Sequence, residues 1–163
     1  MATALAVCAG AAEARAKTQV ASGETRDLRG DATVSIFAGP PAADIKRVVA
    51  RYDAAAGRFV LRVRLFRPAP GAYALKGMFA SHTCPPAGAD VLDYDLGGSA
   101  ILRIDGTIPS GVTRRTLRDG PRLVEEWSGP ELRGLDIGCV RGSVSTGGIG
   151  GFGLDEFEPF ALG

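Results

Sequence analysis

His82 stands two positions before Cys84, with Ser81 on its other side and Asp90 and Asp93 downstream. A cysteine and a histidine so placed make a thiolate nucleophile only if the thiol is free and a third group orients the imidazole. A serine triad drawn from Ser81, His82 and one of the two aspartates lacks the glycine-flanked elbow that would expose its nucleophile. Glu125 and Glu126 are paired carboxylates, but neighbours on a strand point to opposite faces and cannot share a substrate. These patterns assign no catalytic residue, and the chain reads as a non-enzyme.

Metal chemistry has a more physical candidate. Asp27 and Asp31 precede the first core strand, and Asp155 and Glu156 open the last one. Terminal strands of a sandwich often run side by side, so these four acids are candidate ligands of a structural calcium. Calcium takes six to eight oxygens, however, and acids at strand ends are also ordinary solvated turn residues. No CxxC or histidine-rich spacing suggests zinc, and no other cofactor is expected. Asp31 also closes Arg29-Gly30-Asp31, the tripeptide of adhesion signals, which by itself carries little information at these residue frequencies. The run "STGGIGGFG" (145–153) leads to a strand, whereas a dinucleotide loop leads from a strand to a helix. It reads as a mobile loop at a binding rim.

Arginines form the other constellation. In "RFVLRVRLFR" (58–67), Phe59, Leu61, Val63 and Leu65 alternate with Arg58, Val60, Arg62 and Arg64, the period of a half-buried antiparallel strand. Arg47 and Arg51 share the outward face of its proposed partner. The ligand-binding candidates are therefore Arg47, Arg51, Arg62 and Arg64, with Trp127 as the aromatic for sugar stacking. Like charges opposite one another cost stability unless acids intervene. The stripe is either a solvated face neutralised by nearby acids or a surface for an anionic glycan, an anionic surface or a partner protein.

These residues need a frame. The chain has 163 residues, enough for one domain with a proper core, and 45% hydrophobic content. A net charge of +1 gives no support to nucleic-acid binding. Sixteen arginines against three lysines suit a GC-rich bacterial genome. Residues 1–16 resemble a partial signal peptide, with a small apolar stretch and Ala14-Arg15-Ala16 as a small-x-small cleavage site. "LAVC" (5–8) falls short of a lipoprotein box because Val7 replaces the small residue before the cysteine. No stretch approaches the length of a transmembrane span. Residues 17–30 follow as a flexible lead-in and 31–163 as a single domain. With Cys8 removed in the leader, Cys84 and Cys139 remain as an even pair, expected to form a disulfide in an oxidising, extracellular or cell-surface compartment.

Further short strands are expected at 72–81, 99–105, 111–120, 121–129, 135–145 and 155–162, with a hairpin turn at 118–122. Residues 44–57 fit a helix by Ile45, Val48, Val49 and Tyr52, and a strand by Val48, Ala50 and Tyr52. The strand is preferred because a hairpin partner follows at once. The 23 glycines and 10 prolines punctuate the whole chain. The expected fold is all-β, an antiparallel β-sandwich or jelly roll of roughly eight to ten strands.

The order "ADIKRVVARYDAAAGRFVLRVRLFRP", followed by "WSGPELRGLDIGCVRGSVS" and "LDEFEPFAL", resembles secreted bacterial β-sandwich domains of the carbohydrate-binding-module-like jelly-roll kind. The likeness covers most of 27–162 on loose motifs. "SHTCPPAGADVLDYDLGG" departs from the acidic, glycine-rich segment of such domains. The resemblance implies a secreted, non-catalytic binding domain for a carbohydrate or cell-envelope component, in some members with a structural calcium. The alternative is a structural or protein-interaction sandwich with no small ligand, signalled by burial of Tyr52, Tyr73, Tyr94 and Trp127. Oligomeric state is not legible in the sequence.

Overall fold

A computed structural model of the chain describes residues 20–30, 32–34, 43–68, 73–95, 101–148 and 151–163. Its strands are β1 (Val20–Arg26), β2 (Thr33–Val34), β3 (Ile45–Asp53), β4 (Arg58–Leu65), β5 (Tyr73–Ser81), β6 (Leu92–Asp95), β7 (Ile101–Ile104), β8 (Thr113–Asp119), β9 (Arg122–Ser128), β10 (Cys139–Gly148) and β11 (Gly151–Ala161). They form two antiparallel sheets, ordered β1-β3-β4-β9-β8 and β2-β11-β10-β5-β6-β7. The expected all-β sandwich is the observed fold. Among the described residues it has ten strands of four residues or more, with the two-residue β2 added at one edge.

Alternation builds the core. Along β4 the side chains of Phe59, Leu61, Val63 and Leu65 are buried, while Arg58, Arg62 and Arg64 are exposed. β3 is a strand, as its hairpin position requires, and Val48, Ala50 and Tyr52 point inward with Ile45. The turn between them starts at Asp53, whose Oδ1 accepts a hydrogen bond from the Ala56 N–H at 2.9 Å, an Asx turn. It closes at Gly57, where φ is 63° and a Cβ would lie 2.3 Å from the Gly129 carbonyl oxygen, so only glycine fits. The second sheet contributes Leu75, Met78, Leu92, Tyr94, Val140, Val144, Phe157 and Phe160 to the same core.

Three expectations are corrected. Residues 20–26 are not a flexible lead-in: they pair with β3 over the full register from Val20↔Asp53 to Arg26↔Arg47. "VLDYDL" carries an unforeseen strand, β6, because Leu92 and Tyr94 alternate inward. The glycine-rich 145–153 run is largely a hairpin, with Ser145↔Leu154 and Gly148↔Gly151 in register; backbone pairing there needs no side chains. Residues 149–150, like residues 1–19, lie outside the described residues.

Hydrogen bonds join the sheets at several points. Ser22 and Gly163 exchange backbone hydrogen bonds of 3.1 Å, bringing the C-terminus against β1. The approach is so close that a Cβ on Gly23 would sit 2.0 Å from the Ala161 carbonyl oxygen. Deeper in, Asp155 Oδ2 of β11 accepts a hydrogen bond from the Ile45 N–H of β3 at 2.5 Å.

Cys84 and Cys139 form the expected disulfide, with Cα atoms 4.9 Å apart. Ser81 and Cys139 are cross-strand partners, so the loop after β5 is pinned to the start of β10. The bond spans a sequence separation of 55, for which loop-closure entropy gives about 4 kcal/mol as an upper figure. Reduction should therefore lower the melting temperature by about 5–10 °C in a domain of this size. Thermal melts with and without reductant, with alkylation of the freed thiols, check this; coincident melts would remove the disulfide's stabilising role.

Candidate functional site

The outward face of the five-stranded sheet carries the densest charge. Its rows follow from the register across β1, β3, β4, β9 and β8. At one end Arg26, Arg47, Arg64 and Arg122 stand side by side on four neighbouring strands, with Asp119 at the end of the row. The next rows read Glu24–Val49–Arg62–Val124–Leu117 and Ser22–Arg51–Val60–Glu126–Arg115. With Arg58 and Asp53 in the last row, the described face holds eight arginines and four carboxylates.

Two of the carboxylates, Glu24 and Glu126, are already engaged by arginines. Glu24 lies within ion-pair distance of Arg47 and Arg26. Glu126 accepts from Arg58 Nε at 2.8 Å and Nη2 at 3.0 Å, a bidentate geometry. The Arg58 hydrogen bonds hold the Glu126 carboxyl below its ordinary range, and the charges of Arg58, Arg115 and Arg62 act the same way against a desolvation that raises it. Arg47 does likewise for Glu24. Arg51, Arg62, Arg64, Arg115 and Arg122 make no ion pair among the described residues. The face therefore keeps about four uncompensated positive charges, and like charges directly opposite repel.

The sequence-predicted ligand set divides. Arg47, Arg51, Arg62 and Arg64 do share this face. Trp127 does not: it is 1% exposed and packs between the sheets against Phe59 and Tyr94. Its parity on β9 points inward, because Arg122, Val124, Glu126 and Ser128 take the outward positions. Tyr52, Tyr73 and Tyr94 are buried as well, so none of the four offers a sugar-stacking platform. Arg26, Arg115 and Arg122 were missed because the pairing of β1, β8 and β9 with β4 is a long-range fact.

The proposed calcium ligands are dispersed in role. Asp155 is buried and bonded to the Ile45 N–H, while Glu156 is exposed on the opposite side of the same strand. Asp27 Oδ1 accepts from the Leu28 N–H at 2.9 Å. Asp31 lies outside the described residues. Among the described residues no three histidine, cysteine or acidic side chains are grouped for a metal. The Arg29–Gly30 turn is held by the Asp44 carboxylate, which accepts from the Gly30 N–H at 3.1 Å with each oxygen.

The catalytic pairings are placed elsewhere. Cys84 is in the disulfide, so it offers no thiolate. His82 Nδ1 lies 2.9 Å from the Asp136 carbonyl oxygen. Ser81 Oγ donates to the Thr83 carbonyl at 3.1 Å, Asp90 accepts from Arg141, and Asp93 faces Arg103. Glu125 and Glu126 take opposite faces, as expected.

Compared with known proteins, the chain matches no family model, and no curated protein or solved structure is detectably similar to it. The resemblance to carbohydrate-binding-module-like sandwiches thus rests on the quoted motifs alone.

Two outcomes are expected. Asp155→Ala should destabilise the fold by about 1–3 kcal/mol, since it leaves the buried Ile45 N–H without this acceptor. Denaturant unfolding measures it, and a silent variant would contradict the inter-sheet role. For Glu126, a carboxyl depressed in the folded state contributes stability that is fully present above the unfolded carboxyl range and lost as pH falls through the folded value. Glu126→Gln should accordingly cost up to about 1 kcal/mol at neutral pH, and the difference should shrink below about pH 4. Paired urea titrations at neutral and acidic pH test the sign.

Proposed function

We propose that this chain is an exported, non-catalytic binding domain whose arginine face engages an anionic component of the cell envelope, such as an acidic glycan. The observation that carries the reading is the in-register row Arg26–Arg47–Arg64–Arg122, on a face with twice as many arginines as carboxylates. A fixed row of guanidinium groups on a sheet pays little ordering entropy when it meets repeated carboxylates or phosphates, and arginine binds such groups bidentately. Export is supported by the small-x-small site at 14–16 and by the Cys84–Cys139 disulfide. Among the described residues no helix is long and apolar enough to cross a membrane, which does not bear on strand-built membrane proteins.

A second reading, a protein-interaction domain with no small ligand, draws support from the burial of Tyr52, Tyr73, Tyr94 and Trp127. It would use the same face, with an acidic protein as partner. The choice between them is experimental.

Immobilised polygalacturonate, with neutral dextran as control, separates the readings. The expected result is retention on the acidic polymer alone, weakening steadily as salt rises. Arg64→Gln with Arg122→Gln should lower the affinity about tenfold, each exposed contact being worth up to about 1 kcal/mol. Equal retention on both polymers, or an unchanged affinity in the double variant, would overturn the polyanion reading.

A further inference from the structure

The last strand of a sheet leaves half of its backbone groups without a neighbour, and such an edge is either closed off or open to pairing. Of the edge strands here, β2 and β7 span only two and four residues, and the C-terminus meets β1 through the Ser22–Gly163 hydrogen bonds. β8 differs. It runs for seven residues, and each of its side chains is exposed or half-buried.

The direction of its free backbone groups follows from the neighbouring strands. The Leu65 N–H donates to the Pro121 carbonyl at 2.8 Å, and the Gly129 N–H donates to the Gly57 carbonyl at 3.0 Å. Odd-numbered residues of β9 therefore turn their backbone toward β4, and even-numbered ones turn theirs toward β8. Arg122, Val124 and Glu126 pair with Asp119, Leu117 and Arg115. That leaves Arg114, Thr116 and Arg118 with N–H and C=O groups directed away from β9, into the open edge.

The intervening side chains decide what fits beside it. Arg115, Leu117 and Asp119 lie on the arginine face. Leu117 is 48% exposed, and neither Arg115 nor Asp119 makes an ion pair among the described residues. Arg-x-Leu-x-Asp is self-complementary. Laid antiparallel to itself about Leu117, it sets leucine against leucine and each Arg115 against an Asp119, pairs that stabilise a sheet. In the same register Thr116 lies opposite Arg118, so the free backbone groups of both strands meet as hydrogen-bonded pairs. A slide of two residues one way puts Arg115 opposite Leu117, and the other way puts Arg118 opposite Arg118. We propose that β8 pairs in the Leu117-centred register with β8 of a second copy of this chain, joining two five-stranded sheets across a two-fold axis.

The dimer also extends the arginine face. The row Arg26–Arg47–Arg64–Arg122 ends at Asp119, and in the dimer that carboxylate meets Arg115 of the second copy. The pairing does not rest on what the face binds, but a polyanion would find two such faces joined and gain avidity from both.

Sedimentation velocity over a concentration series should show a reversible monomer–dimer equilibrium. Arg118→Pro takes away an N–H directed at the open edge, where proline is tolerated, so the melting temperature should hold while dimerisation weakens at least about tenfold. Arg115→Asp and Asp119→Arg should each weaken it about tenfold by setting like charges opposite one another, and the two together should restore it. With Cys8→Ser removing the other free thiol, Leu117→Cys should form an interchain disulfide on oxidation, since its Cα atoms would lie about 4.5 Å apart. Arg115→Cys, far from its own copy in this register, should not. A chain that stays monomeric at every concentration overturns the proposal. So does dimerisation untouched by Arg118→Pro, a folded double charge swap that stays monomeric, or crosslinking through Arg115→Cys as fast as through Leu117→Cys.

Discussion

A strand can turn only alternate side chains inward, and β4 follows that limit from Arg58 to Leu65, Val60 being the one outward position that is also buried. Phe59, Leu61, Val63 and Leu65 must enter the core, so Arg58, Arg62 and Arg64 must leave it. A one-residue slip would place guanidinium groups between the sheets. Because β4 sits in the middle of its sheet, its register sets that of β3 and β9, and through them β1 and β8. The core and the arginine face are two results of a single constraint.

That constraint leaves the face electrostatically unbalanced. Four arginines meet in one row, and the nearby Glu24 and Glu126 are taken up by Arg47, Arg26 and Arg58. Repulsion along the row costs stability, which the buried apolar residues of both sheets offset. An anionic partner would relieve the repulsion as it binds, so the same charges that weaken the free domain favour the complex.

The interior breaks its own pattern at Glu125. A carboxylate between Leu123 and Trp127 occupies an inward position, where an unpaired charge would be untenable. Arg114 and Thr116, inward on the neighbouring β8, answer it with three hydrogen bonds. Removing one partner of such a pair is far worse than replacing both with apolar residues.

Local pattern in the sequence determined the strands at 58–65, 73–81, 101–104, 113–119 and 122–128, the hairpin turn near 120, the sandwich class and the cysteine pair. Each follows from period-two alternation, turn residues or counting, which act within a few positions. Glu125 at the parity of Leu123 and Trp127 was a further legible sign, a charge where the alternation demands an apolar group. Tertiary structure alone decided the rest. It made β1 a strand by giving it β3 as a partner, and it carried Trp127 into the core rather than onto the arginine face. It aligned Arg26 and Arg122 with Arg47 and Arg64, and packed Arg114 and Trp127 against the Tyr94 ring. These depend on pairing and packing between residues far apart in the chain, where spacing along the sequence carries no distance information.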